Sequence, residues 1–259
     1  MRYLLVWIII LLSGIPFSCR TDTKIKNRVE FPYEFSGIKF SKNEISFGKV
    51  FMGEVVCDTL FLYNPLASKV ACRFRVLENF VQVVPEKEVI FPGDTIRVFV
   101  RFFTERRKEY GNYREYISLL PGSAEQRWSP PLLLTAEVVE NFMNLTKEEK
   151  QQAPKAVFDV QMYDFGNIRE GDEVSHVFCL KNEGHSNLLI RRIETGCGCT
   201  AVVPDSRVVP VGDSCNIQVI FRTKGREGKQ FKTIQLTTND YRKPNMILKI
   251  RANVIQDKK

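Results

Sequence analysis

Apolar and polar positions alternate with a period of two through most of the chain. Val174, His176, Phe178 and Leu180 share one parity, and Ser175, Val177, Cys179 and Lys181 share the other. Cys215, Ile217, Val219 and Phe221 repeat the pattern. Successive side chains of a strand point to opposite faces, so these runs predict strands with one face on a core. Turn signals interrupt them at Asn64-Pro65, Pro92-Gly93, Asn182-Glu183-Gly184, Val211-Gly212-Asp213 and Asn239-Asp240. One helical stretch stands out at residues 144–152, with Thr146 placed to cap Lys147-Glu148-Glu149 and Pro154 to end it.

The pattern occurs twice. The segment starting at Ile45 matches the segment starting at Tyr163: Gly48 aligns with Gly166, Gly53 with Gly171, and Asn64 with Asn182. Further on, Val98, Val100 and Phe102 align with Ile217, Val219 and Phe221, and Gly111 with Gly228. The offset drifts by only a residue or two, so insertions are small and fall in turns. Each copy reads as roughly seven short strands in about 100 residues, the pattern of an immunoglobulin-like sandwich. The fold expected is all-β, two tandem immunoglobulin-like β-sandwich domains after an N-terminal signal and lipobox segment. The divisions are 1–18 signal, 19–34 lipidated tether, 35–141 first domain, 142–155 linker with a short helix, 156–256 second domain and 257–259 tail. Phe47-Gly48 and Phe165-Gly166 are read as ending the first strand of each copy, with room for a bulge. Gly53, Gly171, Gly184 and Gly212 are read as structural turns. Neither copy has a Gly-rich phosphate loop followed by a helix.

The N-terminus has a different character. Arg2 precedes an apolar run at residues 4–12, and Ser18 precedes Cys19. A positive start, a short apolar core and a small residue at the cut describe an export signal. The run is too short to span a bilayer, which takes about 20 apolar residues. The Ser18-Cys19 junction resembles a bacterial lipobox, in which the cysteine is lipidated and becomes the mature N-terminus; Pro16 stands where that signal usually has an aliphatic residue. Cys19 is therefore the expected lipidation site. The expected location is the cell envelope, periplasmic or cell-surface, with the membrane as a partner through the anchor. Such a compartment is oxidising, so the other six cysteines need not stay reduced.

Composition narrows the function classes. Hydrophobic residues are 44% and charged residues 26%, ordinary for a globular protein. The net charge of +8 is spread among interleaved acidic residues. The densest cluster, Arg106-Arg107-Lys108, is flanked by Glu105 and Glu109 and reads as a solvated turn. No basic stripe interleaved with aromatics is present, so no nucleic-acid partner is expected. The chain has two histidines and no HExxH, Gly-x-Ser-x-Gly or P-loop motif, so no enzyme and no catalytic residue is expected. His185 is expected at an exposed turn, and His176, aligned with Asp58 of the first copy, at a rim where it hydrogen-bonds a loop.

The most specific chemical feature is Gly196-Cys197-Gly198-Cys199-Thr200. Alternate residues of an extended strand lie too far apart for a relaxed disulfide. Gly198 can bend the chain, so that the thiols either bond or converge on a soft ion such as copper or zinc. Two thiolates are incomplete for structural zinc, which takes four ligands. His176 and Cys215 are candidates to complete a metal or redox set, with Cys179 facing away from His176. The alternative is a structural tie, in which Cys215 bonds one of the pair or one thiol packs inward. In the first copy, Cys57 and Cys72 are expected to point to different sides and not to bridge.

Phe165-Gly166, Gly171, the Asn182-x-Gly184 turn, Cys-Gly-Cys-Thr at residues 197–200 and the turn ending at Gly212 resemble a bacterial family known only as a domain of unknown function. That family is common in exported Bacteroidota proteins and related to Hydin-like immunoglobulin domains. The resemblance covers about residues 156–256; the first copy lacks Cys-Gly-Cys. It implies a sandwich fold and an envelope location, and no catalytic residues. The expected function is a non-enzymatic envelope lipoprotein acting as an interaction or assembly module for an unidentified protein partner. The alternative is a metal-binding or thiol-redox protein using Cys197 and Cys199, in which case the expectation of no cofactor gives way to a soft metal.

Overall fold

A computed structural model describes residues 29–120 and 132–256. The export segment, Cys19 and the tail at 257–259 lie outside the described residues. The described residues divide into two compact units, those up to 108 with 112–139 and those at 109–111 with 140 onward.

In the first unit the strands are β1 (Tyr33–Phe35), β2 (Ile38–Phe40), β3 (Glu44–Phe51), β4 (Val55–Tyr63), β5 (Val70–Ala71), β6 (Arg73–Arg75), β7 (Val81–Pro85), β8 (Val89–Ile90), β9 (Thr95–Phe103), β10 (Gly111–Leu120) and β11 (Leu132–Val139). They form sheets ordered β1-β2-β4-β9-β7 and β3-β11-β10-β6, with β5 and β8 paired separately. The second unit has β12 (Ala156–Phe158), β13 (Met162–Arg169), β14 (Glu173–Asn182), β15 (Leu188–Thr195), β16 (Thr200–Pro204), β17 (Val208–Val209), β18 (Ser214–Arg222), β19 (Gly228–Thr238) and β20 (Asn245–Ile255). Its sheets run β12-β14-β18-β16 and β13-β20-β19-β15-β17. Each unit is a β-sandwich of the expected all-β, immunoglobulin-like class, with its core between the two sheets.

The period-two pattern builds these cores. Phe178 and Leu180 of β14, and Cys215, Ile217, Val219 and Phe221 of β18, are all buried on one face. Burying a Leu, Ile or Phe side chain contributes about 1.5–3 kcal/mol. The short helix α1 (Thr104–Arg107) follows β9. A second helix, α2 (Lys147–Gln151), begins at Thr146 with a reciprocal capping box: Glu149 N–H donates to the Thr146 hydroxyl and Thr146 N–H to the Glu149 carboxylate.

In both units the first long strand pairs in parallel with the last, β3 with β11 and β13 with β20. Both pairs carry a bulge. Phe47 and Gly48 together face Ala136, and Phe165 and Gly166 together face Ala252. The expectation that Phe-Gly ends the first strand is not met, since β3 and β13 run on to Phe51 and Arg169. Gly48 and Gly166 supply left-handed φ values of +62° and +68°, which let the ladder absorb the extra residue and continue. Gly53, Gly171 and Gly212 lie in turns with positive φ. Gly184 does not have positive φ; it is needed for a close approach, because a Cβ there would lie 2.5 Å from the Pro154 backbone and 2.3 Å from Lys155 N.

Two polar staples recur in both units. Asn64 donates to Ser68 O and Ile90 O and accepts from Leu66 N. Asn182 donates to Ser186 O, Val209 O and Pro210 O and accepts from Gly184 N and Lys155 N. The Thr104 hydroxyl shares its proton between Phe51 O and Glu54 O, and that of Thr223 between Arg169 O and Asp172 O, clamping the turn after the first long strand. The repeat alignment picks out the asparagines but assigns them no bonds, and the threonines go unnoticed.

Candidate functional site

β15 ends in one sheet of the second unit and β16 begins in the facing sheet, so residues 196–199 carry the chain across the sandwich. The crossing is tied to both sheets. Gly196 N–H donates to Thr233 O of β19 at 3.4 Å, and Arg222 N–H of β18 to Cys199 O at 3.0 Å. Between these ties the chain turns, and Cys197 and Cys199 approach to 5.4 Å between Cα atoms and are joined by a disulfide. An extended chain would hold them about 6.7 Å apart; the turn through Gly198 closes the difference. Thr200 is buried, and its Oγ1 lies 3.8 Å from Cys197 Sγ and 3.9 Å from Cys199 Sγ. Cys199 packs against the core cluster.

This disulfide is a weak staple. On the chain-entropy account, closing a three-residue loop stabilises by about 1.5 kcal/mol, against about 3 kcal/mol for a 15-residue loop. The crossing already has backbone bonds to both sheets.

The other candidates lie elsewhere. Cys215 is a free thiol in the core that donates to Ser206 O at 3.2 Å, so it bonds neither Cys197 nor Cys199. Cys179 is free and faces away from His176 on β14. His176 stacks on Tyr163, with ring centroids 3.7 Å apart, and meets Phe178 edge-on at 4.6 Å. Its Nε2 is buried with no hydrogen-bond partner among the described residues. The expected hydrogen bond to a loop is not made at Nε2: Asp58 does accept from Lys42 Nζ, but the aligned histidine packs on aromatic rings. Burial lowers the His176 pKa, opposed by the charge of Asp159. His185 is exposed. Among the described residues no group of three or more His, Cys, Asp or Glu is placed to hold a metal ion, and the set Cys197, Cys199, Cys215 and His176 is not assembled as one. In the first unit Cys72 is free, so there is no Cys57–Cys72 bridge, and burial pushes its thiol up to about 12.

The first copy shows what the crossing looks like without the disulfide. Val81 pairs with Phe102 as Thr200 pairs with Phe221. Phe103 N–H donates to Phe80 O just as Arg222 N–H donates to Cys199 O, so Phe80 occupies the place of Cys199. Phe80 packs edge-on against Phe102 and Tyr113. The loop is held by Leu77 N–H donating to the buried carboxylate of Glu115, which also accepts from Tyr113. With Gly111 aligned to Gly228, Glu115 aligns with Lys232, whose ammonium sits 5.9 Å over the Phe221 ring. Burial, and then the charge of Arg226, lowers the Lys232 pKa. The second copy thus exchanges an aromatic plug and an anion for a disulfide and a cation. The Phe80 to Cys199 correspondence escapes sequence reading because neither residue type nor spacing marks it; only the shared hydrogen bond does.

One more sequence-invisible feature lies beside the crossing. β19 pairs with β20 from Gly228 onward, but β15 reaches it only from Ile234. Among the described residues, 228–233 therefore overhang with one edge unpaired except at Thr233 O. Phe231, in the middle, is 63% exposed.

Fold and site together define a tandem β-sandwich protein whose second copy closes its crossing with a disulfide. Residues 156–254, within that second copy, match the family described as "Protein of unknown function (DUF1573)". No curated protein matches the chain. Among solved structures, a protein of unknown function from Porphyromonas gingivalis W83 superposes with a TM-score of 0.52 at 16% identity, over 84% of this chain and 99% of that one. That likeness is one of fold. The ASH / PapD-like domain of human CEP192 superposes with a TM-score of 0.37 at 10% identity, over 46% of this chain and 96% of that one.

Proposed function

We propose that the protein is a non-enzymatic, lipid-anchored component of the cell envelope that docks a protein partner by adding a strand to its second sandwich. The observation that carries the reading is the overhang of β19. Thr233 O points toward β15, and backbone direction alternates along a strand, so the N–H and C=O of Lys229 and Phe231 face the same open side. An unpaired row of donors and acceptors is a template for another strand, and natural proteins cover or blunt such edges unless they use them. Phe231 adds an apolar anchor.

Photo-crosslinkers placed at Lys229 and Phe231 in the anchored protein should trap a discrete partner in intact cells. One placed at Lys249 on paired β20 should not. Phe231→Pro removes one outward N–H without touching the β20 ladder and should abolish the crosslink from Lys229. Equal labelling from all three sites, or labelling indifferent to the proline, would sink the reading.

The Cys197–Cys199 bond favours a second reading, that the second sandwich handles thiols.

A further inference from the structure

We infer that Cys197, Cys199 and Thr200 form one thiol–disulfide exchange centre, taking an accessible dithiol of a partner protein as its substrate, with Cys197 as the attacked sulfur and Cys199 as the leaving thiolate. The inference rests on the thiol-handling reading and adds a residue, a direction and a substrate class to it.

Three observations carry it. The sulfurs can be reached: both cysteines are half-exposed, Gly196 and Gly198 are exposed, and a Cβ on Gly198 would meet nothing within 4 Å. The sulfurs are inequivalent: Cys199 packs against the core cluster and Cys197 does not, so an incoming thiolate meets Cys197 Sγ first. Finally, one buried hydroxyl serves both sulfurs, since Thr200 Oγ1 lies 3.8 and 3.9 Å from the two Sγ atoms. A hydroxyl has a single proton to donate and rotates to suit, so it can follow the negative charge to whichever sulfur bears it. A hydrogen bond to the charged form of a thiol favours that form, and a better-stabilised leaving thiolate leaves faster. The first copy has neither sulfur, and Val81 stands where Thr200 does.

In the step, one thiolate of the partner dithiol bonds to Cys197 Sγ. The electron pair of the Cys197–Cys199 bond departs on Cys199 Sγ, which takes a hydrogen bond from Thr200. The partner's second thiolate then attacks the partner's own sulfur in the mixed disulfide and expels Cys197 as a thiolate. The partner is oxidised from dithiol to disulfide, and its two protons and two electrons end on Cys197 and Cys199.

The test uses the full mature chain with dithiothreitol as the dithiol, following residues 197–199 by alkylation and mass spectrometry. Reduction should be complete at millimolar dithiol. Thr200→Val should slow it roughly three- to tenfold, and should shift alkylation of reduced Cys199 to higher pH, while Thr200→Ser restores both. Val at this position is compatible with the fold, because Val81 occupies the same ladder position in the first copy. With the monothiol 2-mercaptoethanol in place of dithiothreitol, no second thiolate resolves the intermediate, so rapid alkylation should find the mixed disulfide on Cys197 and the free thiol on Cys199. Wild-type rates and an unshifted alkylation profile in Thr200→Val would overturn the inference and leave the thiol-handling reading standing. A disulfide that resists dithiothreitol in the folded wild type would overturn both.

Discussion

Asn182 sits at 1% exposure with five polar partners, and Asn64 at 0% does the same work in the first copy. Both fix a turn at the end of a core strand by satisfying backbone groups that would otherwise be buried without partners. His176 is the counterexample at this scale, a polar side chain stacked on Tyr163 and met edge-on by Phe178 with Nε2 unsatisfied. Burial is the main cause of its lowered pKa, so the folded protein binds a proton at this site less readily than the unfolded chain, whose value is the ordinary 6.5. Stability from this site is therefore complete above 6.5 and is lost as pH falls from there through the folded value. Thermal midpoints measured from about pH 7.5 to about pH 5 should fall for the wild type, and His176→Phe should flatten that part of the curve. An unchanged slope in the variant would show that other groups carry it.

At the scale of elements, the bulges in β13 and β3 are the feature that lets a first strand continue beyond its glycine. Asp164 supports the bulge by accepting from Gly166 N at 3.0 Å. That bond, and then the charge of Arg251, hold its carboxyl below the usual range. A Cβ on Gly166 would touch nothing, so Gly166→Ala isolates the conformational cost. Chemical denaturation should show a loss of about 1–2 kcal/mol, the penalty for a non-glycine residue in the left-handed region. The element level was also the most legible in the sequence. Parity along β14 and β18 identified the buried faces because side-chain direction in a strand follows from period two alone. Whether Cys197 and Cys199 bond was not legible, since the answer depends on the path of four residues between two sheets. The hydrogen bond expected of His176 was missed for a related reason. Alignment with Asp58 conveyed position but not the Tyr163 ring across the sandwich. Lys232 opposite Phe221 and the overhang of β19 depend on where β15 stops, which no residue in the sequence announces.

For the whole molecule, the proposed anchor sets where the two sandwiches work. Replacing Cys19 with Ala should abolish incorporation of labelled fatty acid and release the protein from the membrane fraction. Undiminished labelling would refute the lipobox reading. The parallel pairing of first and last long strands has a mechanical consequence for such a molecule. Because β13 runs alongside β20 in the same direction, as β3 does with β11, a pull between the start of the first long strand and the end of the last drags these strands past one another lengthwise. The rungs of the ladder then share the load and must yield together, whereas a hairpin pulled at its open end would unzip one rung at a time. In each sandwich, tension along the chain that reaches this pair meets the ladder as shear.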